Sequence, residues 1–149
     1  MKELINFKNV TKTYKIGEQK LNALDKASFT INKGEFVVIL GPSGAGKSTL
    51  LNLLGGMDKA TSGTITIGQK EISKYNDDEL TNYRAENIGF IFQFYNILPT
   101  LTVLENVKLV NDIVKKPKNA KEVLKQVGLE KHYNKFPDQL SGGEQQRVS

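Results

Sequence analysis

Alternating hydrophobic and polar positions predict two strands in the first half of the chain. Residues 27–31 place an alanine, a phenylalanine and an isoleucine at every second position, and the turn-forming Asn32-Lys33-Gly34 follows. Residues 64–67 alternate in the same way after the turn Ser62-Gly63. A period of two is typical of a strand with one buried face. Each segment is therefore predicted to be a half-buried strand.

Two apolar runs predict strands of a different kind. Phe36–Leu40 contains only apolar residues, and Ile88–Phe92 is interrupted only by a glycine. Strands of a parallel sheet are buried on both faces and have this composition. After the first run, a glycine-bearing loop over 41–46 precedes leucines at helical spacing, and Gly55-Gly56 is placed to end that helix. The predicted order is strand, loop, helix.

From about Pro99 the pattern changes to helices. Thr102-Val-Leu-Glu105 forms a capping box, in which the threonine and the glutamate side chains each satisfy a backbone N–H of the other residue. This box predicts a helix that runs to about Lys115 and stops before Pro117.

Two further helix starts follow. Asn119 is placed to cap a helix that ends at Gly128, and Ser141-Gly-Gly-Glu144 is another capping box. The sequence stops at Ser149, within the second turn of this last helix. Because a short unpacked helix is only marginally stable, we expect the chain to be truncated within a larger domain.

Composition narrows the class of protein. The chain has 149 residues, of which 38% are hydrophobic and 25% charged, as in an ordinary globular domain, and this excludes disordered and collagenous chains. The absence of cysteine excludes disulfide frameworks, cysteine-ligated zinc and thiol nucleophiles. The net charge is +5, but acidic and basic residues are interspersed, which favours a solvated basic surface over a nucleic-acid interface.

The sequence shows neither a membrane-spanning run nor a secretion signal, and these two features bear on the location of the protein. The run Phe36–Leu40 is far shorter than the roughly 18 apolar residues of a membrane-spanning helix. Residues 1–15 mix charged and polar types and lack the apolar core of a secretion signal. A cytoplasmic location is therefore expected.

The strongest chemical signal is the segment Gly41-Pro-Ser-Gly-Ala-Gly-Lys-Ser48, which matches the GxxxxGK[ST] pattern of a phosphate-binding loop between a strand and a helix. Glycines let successive backbone N–H groups surround a phosphate, and the helix N-terminus adds partial positive charge. Lys47 is placed to reach the β- and γ-phosphates and is the first candidate catalytic residue, and the Ser48 hydroxyl is placed to bind Mg²⁺. The predicted phosphate-binding residues are Gly41, Pro42, Ser43, Gly44, Ala45, Gly46, Lys47, Ser48 and Thr49. The simpler interpretation is a glycine-rich turn between strand and helix.

Four segments together resemble the ATP-binding cassette of ABC transporters. Leu140-Ser-Gly-Gly-Glu-Gln145 resembles the signature motif of that family, Gln93 the glutamine of its Q-loop, and Tyr14 the aromatic residue that stacks on adenine. The fourth segment is the loop Gly41–Thr49. The resemblance covers essentially the whole chain and implies ATP and Mg²⁺ as cofactors.

Within that family, three further segments resemble the group that serves lipoprotein release, macrolide export and antimicrobial-peptide export or resistance. They are the run Ile88–Pro99, Leu104-Glu-Asn-Val107 and Thr61-Ser-Gly63. This finer likeness constrains the architecture more than the transported molecule. The substrate, the direction of transport and the permease stay open.

The resemblance assigns roles that the residues alone leave open. Tyr14 would stack on the base, or it is simply a strand aromatic. Gln93 would contact Mg²⁺ or water as a catalytic and metal-binding residue, or it is an ordinary polar residue at a strand end. Ser141, Gly142 and Gly143 cap a helix and would also face the γ-phosphate of ATP held by a second cassette. His132 precedes the signature motif, whereas the switch histidine of the family follows it, so His132 is interpreted as structural.

Three groups that the family uses for hydrolysis match no stretch of the chain. They are an aspartate that holds Mg²⁺ through water, a glutamate that polarises the attacking water, and the switch histidine. The nearest candidate, Lys108-Leu-Val-Asn-Asp112, lies within a predicted helix. We expect these groups to fall beyond Ser149 and the chain alone not to hydrolyse ATP.

These inferences combine into one expectation. The fold is α/β, of the P-loop NTPase type found in ABC ATPases, with an N-terminal antiparallel β region and a helical subdomain, truncated after the signature motif. Residues 1–98 would form the β region and part of the P-loop core, and residues 99–149 the helical subdomain. The expected partners are a membrane permease and a second cassette, with the chain peripheral on the inner face of the membrane and no nucleic acid bound.

Motif spacing and composition also bear on other functions of P-loop proteins. An ABC-type ATPase that acts on ribosomes or nucleic acid remains the alternative. SMC-like ATPases are excluded because Gln93 and Leu140 leave no room for their long coiled coil. Zinc-bearing repair relatives are excluded by the lack of cysteine, and a GTPase by the lack of an NKxD motif.

Overall fold

The computed structural model describes residues 2–114 and 116–149. The chain forms two compact units, Met1–Ile88 and Gly89–Ser149. The boundary lies earlier in the chain than the predicted division between residues 98 and 99. Lys115, the predicted end of a helix, lies outside the described residues.

The first unit is built on a four-stranded antiparallel sheet with the strand order β2-β1-β3-β4. Its strands are β1 (Glu3–Ile16), β2 (Gln19–Asn32), β3 (Ser62–Ile67) and β4 (Lys70–Glu71). The predicted strands at 27–31 and 64–67 lie within β2 and β3, so both are confirmed. The long hairpin of β1 and β2 extends beyond the predicted strand because residues 19–22 of β2 are all exposed and show no alternation of buried and exposed positions.

Two helices complete the first unit: α1 (Lys47–Leu54) and α2 (Asp77–Asn87). A single-turn 3-10 helix, Ile72–Lys74, precedes α2. The core shared by sheet and helices consists of Phe7, Val10, Leu53, Ile65, Ile72 and Tyr83. Tyr83 also donates a hydrogen bond to the Leu54 carbonyl (2.9 Å), which joins α2 to the end of α1.

The second unit is helical, with α3 (Val103–Lys108), α4 (Ala120–Gln126) and α5 (Gly142–Val148). The 3-10 helices Leu109–Asp112 and Pro137–Gln139 lie between them. All three predicted N-terminal caps are present as hydrogen bonds from the helix start to Thr102, Asn119 and Ser141. The first helix ends earlier than predicted, because the chain tightens into 3-10 geometry after Lys108. The core of this unit is formed by Val103, Leu124, Leu129 and Leu140.

The prediction of two parallel strands is wrong. Phe36–Leu40 and Ile88–Phe92 have no regular secondary structure, and Phe36 and Ile91 are 93% and 85% exposed. A strand needs a neighbour that accepts and donates its backbone hydrogen bonds. In the part of the chain that the structure describes, strand pairing is confined to β1–β4, so neither run has such a neighbour.

Candidate functional site

The glycine-bearing loop leads directly into α1, as predicted. Gly46 is the N-cap of α1 and has a left-handed backbone (φ 80°, ψ 8°), and no side chain caps this helix. The first turn of α1 also contains no acidic residue. Because the first N–H groups of a helix have no partner within it, this helix start is free to bind an anion.

The loop is held close to the sheet. A Cβ atom on Gly46 would lie 2.2 Å from the carbonyl oxygen of Ala23 in β2, which is far inside van der Waals contact. Between this part of β2 and the loop lies a cavity of about 280 Å³. It is lined by residues 21–23 and 43–49.

Lys47 extends over the loop that precedes it. Its ammonium donates hydrogen bonds to the carbonyl oxygens of Gly41 (2.8 Å) and Pro42 (2.7 Å). Ser48 and Thr49 follow it in the first turn of α1 and line the same cavity. The cavity thus combines a lysine ammonium, two hydroxyl groups and a helix N-terminus, the chemistry that phosphate oxygens need.

The close approach of Gly46 to β2 gives a testable expectation for stability. Gly46→Ala is expected to lower the free energy of unfolding by more than about 2 kcal/mol, because a left-handed residue with a Cβ costs about 1–2 kcal/mol before any clash is counted. Gly44→Ala is the matched control: Gly44 has the same φ of +80°, but its Cβ would meet no atom within 4 Å. Urea unfolding of both variants measures the difference. Equal losses would contradict the close contact with Ala23.

Tyr14, on β1, is half-buried beside the first turn of α1. Its hydroxyl donates a hydrogen bond to Asp58 Oδ2 (2.7 Å). This hydrogen bond and burial raise the pKa of Tyr14, while the Thr49 side chain lowers it in part. The structure therefore brings Tyr14 and the phosphate-binding loop together within the first unit.

Gln93 lies in the second unit, in the exposed segment that follows Ile88. The segment presents apolar side chains to solvent: Phe94 is 77% exposed, and the rings of Phe90 and Phe92 stack with centroids 5.4 Å apart. The structure has no strand that ends at Gln93, and the role of this residue, as a Mg²⁺ or water contact or as an ordinary polar residue, stays a prediction.

The signature residues also lie in the second unit, at the start of α5. The Ser141 backbone N–H and hydroxyl both donate to the Glu144 carboxylate (2.7 and 2.8 Å). Glu144 in turn accepts from His132 Nε2 at 3.2 Å when that histidine donates. The hydrogen bonds from Ser141 lower the pKa of Glu144 despite a small opposing effect of desolvation. His132 is thus a partner of the signature segment, in line with its structural interpretation.

Sequence reasoning missed three features that the structure places near the candidate residues. Asp58 and Lys12 contact Tyr14, and a Cβ on Gly142 would lie 3.0 Å from the Tyr95 hydroxyl. The contact between Lys12 and Tyr14 was partly predictable, because Lys12 lies two positions before Tyr14 and shares its face of β1. Nothing in the sequence pattern around Asp58 indicated its partners.

The described residues contain neither a cluster of metal ligands nor a helix long and apolar enough to span a membrane. Residues 2–114 and 116–149 contain no group of three or more His, Cys, Asp or Glu residues arranged to hold a metal ion. No helix in the same ranges has the length and apolar character needed to cross a bilayer.

Several known proteins are similar to this chain in sequence or structure. Residues 24–149 match the family model described as ABC transporter. An uncharacterised ABC transporter ATP-binding protein of Methanocaldococcus jannaschii is 47% identical over 98% of this chain and 66% of its own length. The chain thus spans about two thirds of that relative.

Two further relatives have named functions. The lipoprotein-releasing system ATP-binding protein LolD of Cytophaga hutchinsonii is 43% identical over all of this chain and 68% of its own length. The macrolide export ATP-binding/permease protein MacB of Shigella flexneri is 43% identical over all of this chain and 24% of its own length. These are members of the group that the sequence segments resemble.

A solved structure shares the fold. The ATP-binding cassette MJ0796, determined as a dimer in a post-hydrolysis state bound to ADP and Pi, superimposes with a TM-score of 0.86. It is 46% identical and is matched over 97% of this chain and 66% of its own. The α/β fold of an ABC-type cassette is therefore confirmed, including its antiparallel β region.

Proposed function

Because the chain belongs to the ABC transporter family, we propose that it is the ATP-binding part of a transporter, in which binding and hydrolysis of ATP drive a membrane permease. The observation that carries this proposal is the cavity between β2 and the loop Gly41–Thr49, with the Lys47 ammonium at the loop and an uncapped helix start beside it. This combination supplies what a triphosphate needs and places no acidic side chain in the first turn of α1.

The phosphate-binding roles follow from this geometry. Backbone N–H groups of residues 43–49 surround the phosphates, and Lys47 exchanges its bonds to the Gly41 and Pro42 carbonyls for bonds to the β- and γ-phosphates. The exchange costs little, because exposed carbonyls can be solvated by water once the ammonium leaves. Glycine at position 46 keeps the loop close enough to β2 for this arrangement.

The other carried-over residues keep, in the proposal, the roles that the resemblance implies. Ser48 lines the cavity and is the candidate Mg²⁺ ligand of the first unit, and Gln93 is the candidate ligand and catalytic residue of the second. Mg²⁺, when bound, neutralises phosphate charge. Tyr14 stacks on the base from its position beside Thr49.

The signature residues serve a second cassette. Ser141, Gly142 and Gly143 would face the γ-phosphate of ATP bound to another copy, as the resemblance implies. The dimeric form of the related cassette MJ0796, bound to ADP and Pi, supports this arrangement. Two copies would then be required for each complete site.

The permease is the proposed membrane partner, with the chain peripheral on the inner face of the membrane. The relatives LolD and MacB support this, the second being named as a combined ATP-binding and permease protein. The exposed apolar side chains of Phe94 and Leu98, close in sequence to Gln93, are the candidate docking surface.

Site-directed cross-linking tests this partner. The chain has no cysteine, so Phe94→Cys and Leu98→Cys each introduce a single reactive site. In membranes that contain the assembled transporter, both are expected to cross-link to the permease. Ile16→Cys, at an exposed apolar residue on the β1 hairpin, is the matched control and is expected not to do so. Cross-links from Phe94 and Leu98 that reach only other cassettes, as identified by mass spectrometry, would argue against this docking surface.

A further inference from the structure

Asp58, in the loop that follows α1, is fixed by partners on both carboxylate oxygens. Oδ1 accepts hydrogen bonds from the Lys12 ammonium (2.5 Å) and the Lys59 backbone N–H (2.7 Å). Oδ2 accepts the hydrogen bond from the Tyr14 hydroxyl (2.7 Å). Lys12 donates a further bond to the Lys59 carbonyl (2.8 Å), so the cation is also tied to this loop.

Lys12 acts on Tyr14 directly as well as through Asp58. Its ammonium lies over the Tyr14 ring, 5.0 Å from the ring centroid. The Lys12 side chain is only 13% exposed, so it does not move freely in solvent. Because a cation covers one face of the ring, a planar ligand can stack only on the other face.

The pKa shifts of Asp58 and Tyr14 are in the directions that their hydrogen bond requires. Burial tends to raise the pKa of Asp58, but the hydrogen bonds from Lys12 and Tyr14 outweigh it and the pKa is lowered. The pKa of Tyr14 is raised, chiefly by its hydrogen bond to Asp58. Near neutral pH, Asp58 is therefore a carboxylate acceptor and Tyr14 a hydroxyl donor.

We propose that Asp58, held by Lys12, is a positioning residue that fixes the Tyr14 ring in the orientation that receives a nucleotide base. This inference rests on the proposed stacking role of Tyr14. Asp58 holds the ring by its hydroxyl and Lys12 by one face, which leaves the opposite face for the base. Asp58 also lies four residues after the end of α1, so the same carboxylate links the base platform to the loop that continues from the helix carrying Lys47 and Ser48.

The expected loss of Mg-ATP affinity can be derived from the number of rotamers open to the Tyr14 side chain. A tyrosine that is not held can populate up to three staggered χ1 rotamers, and only one of them stacks. Apparent affinity falls in proportion to the competent fraction. Loss of the Asp58 contact is therefore expected to weaken Mg-ATP binding about threefold, whereas loss of the whole ring weakens it roughly 5- to 150-fold.

Calorimetric titration with two probes separates positioning from general damage. Mg-ATP carries a base, and Mg-tripolyphosphate does not. Tyr14→Phe removes only the hydroxyl, and Asp58→Ala removes its acceptor. Each substitution is expected to weaken the binding of Mg-ATP about threefold and to leave the binding of Mg-tripolyphosphate unchanged. The double variant is expected to bind Mg-ATP no more weakly than either single variant. Should Asp58→Ala fail to fold by circular dichroism, Asp58→Leu replaces it, since leucine keeps roughly the side-chain size and has no atom that can accept from the Tyr14 hydroxyl.

A matched control exists in the second unit. Tyr133 donates its hydroxyl to the Lys121 carbonyl (3.0 Å), and the Lys121 ammonium lies 5.7 Å from the centroid of its ring. Tyr133→Phe therefore removes the same group from a similar lysine–tyrosine pair outside the phosphate-binding unit. It is expected to bind both probes as the unaltered chain does.

Three results overturn the inference, and they differ in what they say about stacking. If Tyr14→Ala weakens Mg-ATP while Tyr14→Phe and the Asp58 variants do not, the ring stacks without being positioned by Asp58. If the Asp58 variants weaken both probes equally, Asp58 is structural. If Tyr14→Ala itself leaves Mg-ATP binding unchanged, the stacking role of Tyr14 fails together with the inference.

Discussion

Replacing Lys47 by alanine is expected to remove most of the affinity for Mg-ATP, by roughly 100-fold. The Lys47 ammonium forms two hydrogen bonds to exposed carbonyls of its own loop, and in the nucleotide complex it would direct equivalent bonds to two phosphates. Charge-assisted bonds contribute about 1.5 kcal/mol or more each, so losing both corresponds to about 3 kcal/mol. The fold should tolerate the change, because alanine is the best helix former and Lys47 begins α1.

Calorimetric titration measures this effect, with Lys59→Ala as the control. Lys59 is a solvent-facing lysine whose ammonium pairs with Asp77 at 2.8 Å, on the surface of the same unit. Replacing Lys59 changes the net charge by the same amount as replacing Lys47. A loss of Mg-ATP affinity that both variants share is therefore due to long-range electrostatics. Equal affinity of the unaltered chain and a folded Lys47→Ala variant would refute phosphate binding by this lysine.

The 149-residue chain is expected to release phosphate from ATP no faster than its Lys47→Ala variant. The aspartate, glutamate and histidine that the family uses for hydrolysis match no stretch of the chain. A positioned general base alone contributes about 10²–10⁴-fold, equivalent to roughly 3–5 kcal/mol of barrier. Exposed apolar runs at 36–40 and 88–92 should also promote association of the chain.

A coupled-enzyme assay for inorganic phosphate tests this, with purity checked by mass spectrometry. Gel filtration of the same sample reports the association state. A release rate more than tenfold above that of Lys47→Ala would mean that the described residues contain a complete hydrolytic site.

Helix starts were predictable because their signals are local. The capping boxes at Thr102 and Ser141 each need only two residues three positions apart, and both form as expected. The same signal was present but overlooked at Asn76, whose side chain accepts from the Glu79 backbone at the start of α2. Caps depend on neighbours in sequence, so distant parts of the chain do not change them.

Strands were less predictable because they depend on a partner. Phe36–Leu40 has the composition of a buried parallel strand, yet it is irregular and exposed where no described strand lies beside it. The helix that followed it was predicted correctly, since Gly46 and the leucines of α1 act within a few residues. An apolar run therefore indicates what a segment can become when paired, and does not establish that pairing occurs.

In the candidate site, too, local features were predictable and contacts between distant residues were not. The loop Gly41–Thr49 was recognisable from contiguous residues and leads into α1 as predicted, while its binding of phosphate stays a prediction. The network around Tyr14 was not recognisable, because Asp58 lies 44 positions away along the chain. Only the fold brings the β1 strand and the loop after α1 together.

Backbone amide chemical shifts, followed during a titration of the isotopically labelled chain with Mg-ATP, test most directly whether the loop Gly41–Thr49 receives the nucleotide phosphates. The largest shifts are expected at the amides of residues 43–49, with smaller ones at Tyr14, and they should disappear in Lys47→Ala. Shifts that leave residues 43–49 unaffected, or that persist unchanged in Lys47→Ala, would contradict nucleotide binding at this site.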